Sequence, residues 1–254
     1  MISERTLIIP SQDKHSEDTA ILFRQISTQE DLDKMHTQRY RVYAKYGYLN
    51  LDKFDSESDV DIFDQSGSCT YIGAWCGDRL LGSVRAIRSD ILPIEKFFEF
   101  RKPVSIENYN TNQSMELSRL VIERTDGDKD IPRNIVMLFM TDMLLDLAQE
   151  ANLQIGYAYL KERLINKMRL LRMPTTTIGE HTCIYPKDGP MSPYFYDHSD
   201  DMPIPSFFII DEIDDYMNNI LSNKHMFDII DEEQKKYRLK NSVYNKFLKT
   251  LKVL

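Results

Sequence analysis

The sequence predicts a mixed α/β fold, and three observations carry that reading. Segments rich in strand formers alternate with segments of helical periodicity along most of the chain. Two of the strand-like segments are joined by only Gly77-Asp78, which makes them antiparallel neighbours. Others are separated by whole helices, the connection that parallel neighbours require.

Taken in order, residues 1–19 read as a polar segment without periodicity and 20–26 as a first strand. Ser27 and Glu30 have capping-box spacing, and Leu32, Met35, Val42, Tyr43 and Tyr46 follow at helical intervals. A helix is therefore expected over 28–46, with Gly47 available to end it in the left-handed conformation. Positions 52–64 form an irregular loop carrying six carboxylates. Strands over 71–76 and 80–88 make the hairpin, and 89–113 is a long connection with one short helix near 94–99. Next come a strand at 115–123, a helix at 133–152, a strand at 154–160, a helix at 161–173, a strand at 175–185 and a last strand at 206–211. The expected organisation is a polar segment over 1–19, a main domain over 20–210 and a basic helical extension over 211–254.

Composition narrows the function classes. With 254 residues, 42% hydrophobic and 28% charged, the chain has the balance of a globular protein with a real core. Its longest apolar run, 135–140, is far below the ~20 residues that cross a bilayer. No secretory h-region precedes Pro10, and the three cysteines contain no Cys-x-x-Cys pair, so a cytoplasmic protein with reduced thiols is expected. A net charge of −8 repels phosphate backbones and argues against a nucleic-acid partner. The five histidines have no metal-ligand spacing, and the acidic run from Asp55 lacks the glycine and terminal glutamate of a calcium loop. No metal is expected.

Charged residues stand where a core should be. Arg39 lies on the apolar stripe of the first helix, four residues from both Met35 and Tyr43. Arg85 falls in mid-strand. Glu116 and Arg119 interrupt an otherwise uncharged apolar run, and one β-bulge between or beside them would bring both to the same face. Buried charges need partners, so an ion-pair cage closed by the loop carboxylates Asp52 and Asp55 is expected.

The residues Arg39-Tyr-Arg-Val-Tyr43, Gly47-Tyr48, Asp52-Lys-Phe-Asp55, Gly82-Ser-Val-Arg85 and Glu116-Leu-Ser-Arg119 occur in an order that resembles the acyl-homoserine-lactone synthases and the related N-acyl amino acid synthases. The resemblance spans roughly positions 20–185. It implies the fold of the Gcn5-related N-acetyltransferases, a mixed sheet with splayed central strands and flanking helices. Two departures, Tyr48 in place of the lactone synthases' usual tryptophan and the long C-terminal extension, favour an N-acyl amino acid synthase.

What the resemblance implies is transfer of a fatty acyl group from acyl carrier protein, or from coenzyme A, to the amine of a small molecule such as an amino acid. Glu116 and Arg119 would be the catalytic positions, and Arg39, Tyr43, Tyr48, Asp52, Asp55 and Arg85 the substrate-binding ones. Arg133, Lys161, Lys167 and Arg169 would receive the carrier and its phosphopantetheine arm, whose acyl thioester is a co-substrate; no cofactor would be held permanently. Lactone synthesis and a non-catalytic carrier- or lipid-binding module are the alternatives.

Overall fold

The structure is a computed structural model that describes residues 2–11, 17–109, 111–123, 125, 131–197 and 201–244. In chain order it has β1 (Arg5–Ile9), β2 (Thr19–Ile26), α1 (Gln29–Lys45), β3 (Cys69–Cys76), β4 (Arg79–Ile87), α2 (Pro93–Phe97) and β5 (Phe98–Phe100). There follow β6 (Ser114–Ile122), α3 (Arg133–Glu150), β7 (Ile155–Lys161), α4 (Glu162–Leu170), β8 (Thr176–Thr177), β9 (His181–Cys183), α5 (Ser192–Tyr196), β10 (Pro203–Ile209), α6 (Ile210–Leu221), β11 (Phe227–Asp231) and β12 (Lys236–Leu239).

Ten strands form one sheet in the order β11-β12-β1-β2-β3-β4-β6-β7-β10-β8, while β5 and β9 pair separately. Among the described strands only the β1–β12 and β6–β7 pairs are parallel. The β6–β7 crossover is made by α3, whose buried Ile135–Met140 run and Met143, Leu144, Leu145 and Ala148 fill the main core. A helix apolar around most of its circumference must be covered on several sides. The sheet covers one side of α3 and α6 another.

The sheet opens between β6 and β7. They pair only from Ser114 opposite Ile155 to Glu116 opposite Tyr157, although β6 runs on to Ile122 and β7 to Lys161. Two features force the parting. On one side, Ser83 faces Val121 but Arg85 faces Ser118, so Arg119 and Leu120 together oppose Val84 alone. This is a β-bulge, and Arg119 takes the left-handed φ of 55° within it. Gly82 permits the close approach there, because a Cβ would come within 2.5 Å of the Val121 carbonyl oxygen. On the other side, β7 keeps seven register pairs with β10 from Ile155 to Lys161 and follows that strand away.

The structure corrects several sequence expectations. The cap of α1 is Thr28 rather than Ser27; its hydroxyl accepts from the Asp31 N–H at 3.2 Å. Part of the polar 1–19 segment is β1, which carries a wholly buried Arg5. The single strand expected over 175–185 is two short ones, β8 and β9, that join different sheets. The C-terminal stretch begins helical as α6 but continues as the antiparallel pair β11–β12, with β12 laid against β1. Phe227, Leu239 and Tyr244 enter the main core, so this stretch is packed against the sheet. The basic residues Lys246, Lys249 and Lys252 and the turn around Gly127 lie outside the described residues.

Candidate active site

The three arginines that the sequence places in element interiors meet at one cage. Arg39, Arg85 and Arg119 are 0%, 1% and 8% exposed, so each needs a carboxylate. Arg39 grips Asp64 with both terminal nitrogens, at 3.1 and 2.9 Å, and donates from Nε to Asp59 at 3.1 Å. Arg85 reaches Asp61 at 2.7 Å, Asp64 at 2.8 Å and the Ser118 hydroxyl at 3.0 Å. Arg119 donates to Asp59 at 2.9 Å and to Asp61 at 3.1 Å. Because Asp61 serves both Arg85 and Arg119, the bulge has turned Arg119 onto the face that carries Arg85 and Ser118.

The partners are therefore Asp59, Asp61 and Asp64, not Asp52 and Asp55. Asp52 sits on an exposed 3-10 turn and Asp55 in an exposed bend, and neither reaches an arginine of the cage. The Asp-x-x-Asp spacing recurs at Asp61 and Asp64, nine residues later, which is the signal that could have found them. Burial opposes charge on Asp59, but Arg119 and Arg39 outweigh it and hold the carboxyl below its ordinary range. The same contest lowers Asp61 and Asp64, so all three stay ionised and the cage is neutral overall.

Beside the cage, the gap between β6 and β7 is a cleft of about 150 Å³. Its walls are Tyr43 and Tyr48 from α1 and the following turn, Leu117–Leu120 of the bulged strand, Tyr159–Lys161 of β7, Arg163 and Leu164 of α4, and Met191 and Tyr194. Gly47, with φ of 68°, ends α1 and swings Tyr48 back against Tyr43 and Tyr194, with ring centroids 6.1 and 5.1 Å apart. Arg119 lies 5.7 Å from the Tyr43 ring, which links cage and cleft.

Lys161 ends β7 inside this cleft rather than on a surface helix face. It is 5% exposed; its ammonium donates to the Tyr194 carbonyl at 2.6 Å and lies over the Tyr194 and Tyr48 rings at 4.5 and 5.3 Å. Burial pushes its pKa down to about 8 against the pull of Asp201. Arg163 donates to the Tyr48 hydroxyl and pairs with Asp201 at 3.3 Å.

Glu116 stands at the apex of the fork, in the last residue pair before the strands part. It is fully buried, and its Oε2 accepts from the Ile94 N–H at 2.6 Å. Among the described residues Oε1 has no hydrogen-bond partner, nor does the buried hydroxyl of Tyr157, its register neighbour. Burial raises the Glu116 pKa to about 8 against that N–H and the charges of Arg85 and Arg119. It makes no ion pair with Arg119, contrary to the expected cage, because the three aspartates satisfy the arginines first.

Arg133 opens α3, whose N-terminus has no side-chain cap. Lys167 is half-buried; burial and then the Arg133 charge push its pKa down, which puts the two cations near each other. Arg169 is exposed on the same helix as Lys167. Sequence reasoning missed Tyr159, Arg163 and Tyr194 in the cleft wall, because their elements are far apart in the chain.

Backbone comparison with solved structures identifies the architecture. The AHL synthase LasI matches with a TM-score of 0.54 at 12% identity, over 76% of this chain and 91% of that one. The chain shares the fold of LasI. The same synthase fold recurs in BjaI, described as a CoA-dependent acyl-homoserine lactone synthase with MTA, at 0.54 and 11% identity over 95% and 98% of the two chains. FeeM, an N-acyl amino acid synthase from uncultured soil microbes, matches at 0.51 and 15% identity over 77% and 93%. Since the BjaI match runs over almost the whole chain, the C-terminal stretch does not separate this protein from lactone synthases. No family model matches the chain, and no curated protein matches it in sequence.

Proposed function

We propose that this protein is an N-acyltransferase that moves a fatty acyl group from a phosphopantetheine thioester, carried on acyl carrier protein, to the amine of a small molecule such as an amino acid. The observation that carries the reading is the fork itself: strands that part at a bulge, a cleft beyond the parting, and a buried carboxyl of pKa about 8, Glu116, in the last residue pair before the strands separate. In this reading the thioester lies between β6 and β7, where the edge of β6 beyond Glu116 has lost its strand partner and offers main-chain N–H groups to the carbonyl oxygen. The amine nitrogen attacks the carbonyl carbon, the C–N bond forms, the C–S bond breaks, and the sulfur departs as thiol.

The proton lost by the amine is relayed through water to Glu116 and on to the leaving sulfur. A carboxyl titrating near working pH is suited to accept and return a proton. Arg133 at the start of α3 and Lys167 on α4 supply positive charge for the arm's phosphate, and Arg169 adds to the basic face that meets an acidic carrier. The cage of three arginines and three aspartates holds the loop over 56–68 against the sheet and so fixes Tyr43 beside Arg119.

The reading is tested by incubating the protein with acyl carrier protein loaded with chains of several lengths and an amino-acid mixture, with mass spectrometry of the products. An N-acyl amino acid together with free carrier thiol is expected. Binding of the loaded carrier with no thiol release to any amine defeats the reading and leaves a binding module. The near-complete overlap with BjaI, also solved with SAM and isopentyl-CoA, favours lactone synthesis as the second reading. SAM as the sole accepted amine, with release of a lactone, would establish it.

A further inference from the structure

Charge in the cleft is unbalanced in a way that selects the acceptor. Three cations line it, Arg119, Lys161 and Arg163, and among the described residues no carboxylate does. Arg119 is neutralised by Asp59 and Asp61, and Arg163 by Asp201. Lys161 has only the Tyr194 carbonyl, so two of its three ammonium donors have no hydrogen bond to a described residue. The residue is also the N-cap of α4, where the positive end of the helix adds to its field. Asp201 is thus shared between two cations, and a buried ammonium with so little compensation is unfavourable unless an anion arrives to share it.

We infer that Lys161 holds the carboxylate of the acyl acceptor, so that this enzyme takes anionic α-amino carboxylates and rejects neutral and sulfonium-bearing amines. This rests on the acyl-transfer reading above and names the substrate class of the same cleft. Tyr48 and Tyr194 wall the ammonium on two sides and exclude water from the contact, which strengthens a charge-assisted hydrogen bond. The same geometry penalises a sulfonium such as that of SAM, because a further positive charge would enter a cleft whose described lining holds three cations. Bound carboxylate sits at the Lys161 end of the cleft, four residues along β7 from Tyr157, the register partner of Glu116.

The test is calorimetric binding of N-decanoylglycine and of its uncharged N-methylamide to the full chain, to Lys161→Met and to Lys161→Arg, with 4′-phosphopantetheine as a third probe. The wild type is expected to bind the carboxylate about tenfold or more tightly than the amide, Lys161→Met to bind the two alike, and Lys161→Arg to restore much of the preference. Phosphopantetheine affinity should be unchanged in Lys161→Met. Equal wild-type affinities, a preference that survives in a folded Lys161→Met protein, or loss of phosphopantetheine in place of acylglycine would overturn the assignment. Thiol release from a decanoyl thioester, measured on the same wild-type preparation, separates the two failures. Transfer without carboxylate preference sinks the role of Lys161 alone, and no transfer to any amine sinks the reaction.

Discussion

Arg39 on the first helix and Arg119 on the bulged strand donate to one carboxylate oxygen, Oδ2 of Asp59, at 3.1 and 2.9 Å. The two arginines are eighty positions apart, and a third element, the loop after α1, is pinned between them. Removing that oxygen's charge leaves two guanidinium groups short of compensation in a dry site.

Asp59→Asn should therefore destabilise the protein by ~3 to 5 kcal/mol, the cost of breaking a buried pair by removing one partner. Asp52→Asn and Asp55→Asn, at exposed positions, should stay within ~0.5 kcal/mol of wild type. Denaturant unfolding of the three variants checks both statements. A wild-type midpoint for Asp59→Asn would refute the cage as a source of stability.

Glu116→Gln should keep the fold and lower turnover by ~10²-fold or more if the carboxyl takes the amine's proton. Its pKa of about 8 also makes a stability prediction. Between the ordinary carboxylate range and about 8 the folded state holds a proton that the unfolded state has lost, so wild-type stability falls as pH rises through that window, by up to ~1.4 kcal/mol per pH unit. Glu116→Gln should remove that slope. Unfolding free energies at pH 5, 7 and 8.5 are the measurement, and an unaltered slope would place the titration elsewhere.

Charge reversal at Lys167 and Arg169 should raise the KM for acyl carrier protein ~5-fold or more while leaving a short acyl-pantetheine substrate nearly unaffected, since steering acts on the larger, charged partner. The gap between the two substrates should close in high salt. Equal effects on both donors would remove the basic face from carrier recognition.

Arg5→Ala should cost ~3 to 5 kcal/mol although it lies far from the cleft, because Asp142 at 2.6 Å and Asp146 at 2.9 Å on α3 would lose their buried partner. Lys235, 3.1 Å from Asp146, ties the turn between β11 and β12 into the same network. Thermal unfolding with and without the substitution tests whether this edge of the sheet is held by charge; an unchanged transition would assign it to the apolar contacts of Leu7 and Phe227 alone.

The sequence by itself determined the local elements and the kinds of residue at the site. The Gly77-Asp78 hairpin, the apolar helix α3 and the bulge beside Arg119 were all readable, because turn chemistry, periodicity and a charge inside an apolar run are properties of neighbouring residues. So was the need for carboxylates opposite three buried arginines. Which carboxylates answered was decided only by the tertiary structure: the Asp-x-x-Asp spacing occurs twice in one loop, and the path of that loop over the sheet brings Asp61 and Asp64 inward while Asp52 and Asp55 face solvent. The parallel pairing of β1 with β12, over two hundred residues apart, was equally hidden, since short strands at a sheet edge acquire their partners from non-local hydrogen bonds and leave little periodic trace. The cleft followed the same rule. Tyr43, Tyr159, Lys161 and Tyr194 acquire a common chemistry only where β6 and β7 part, and that parting depends on a strand pairing that fails after Glu116.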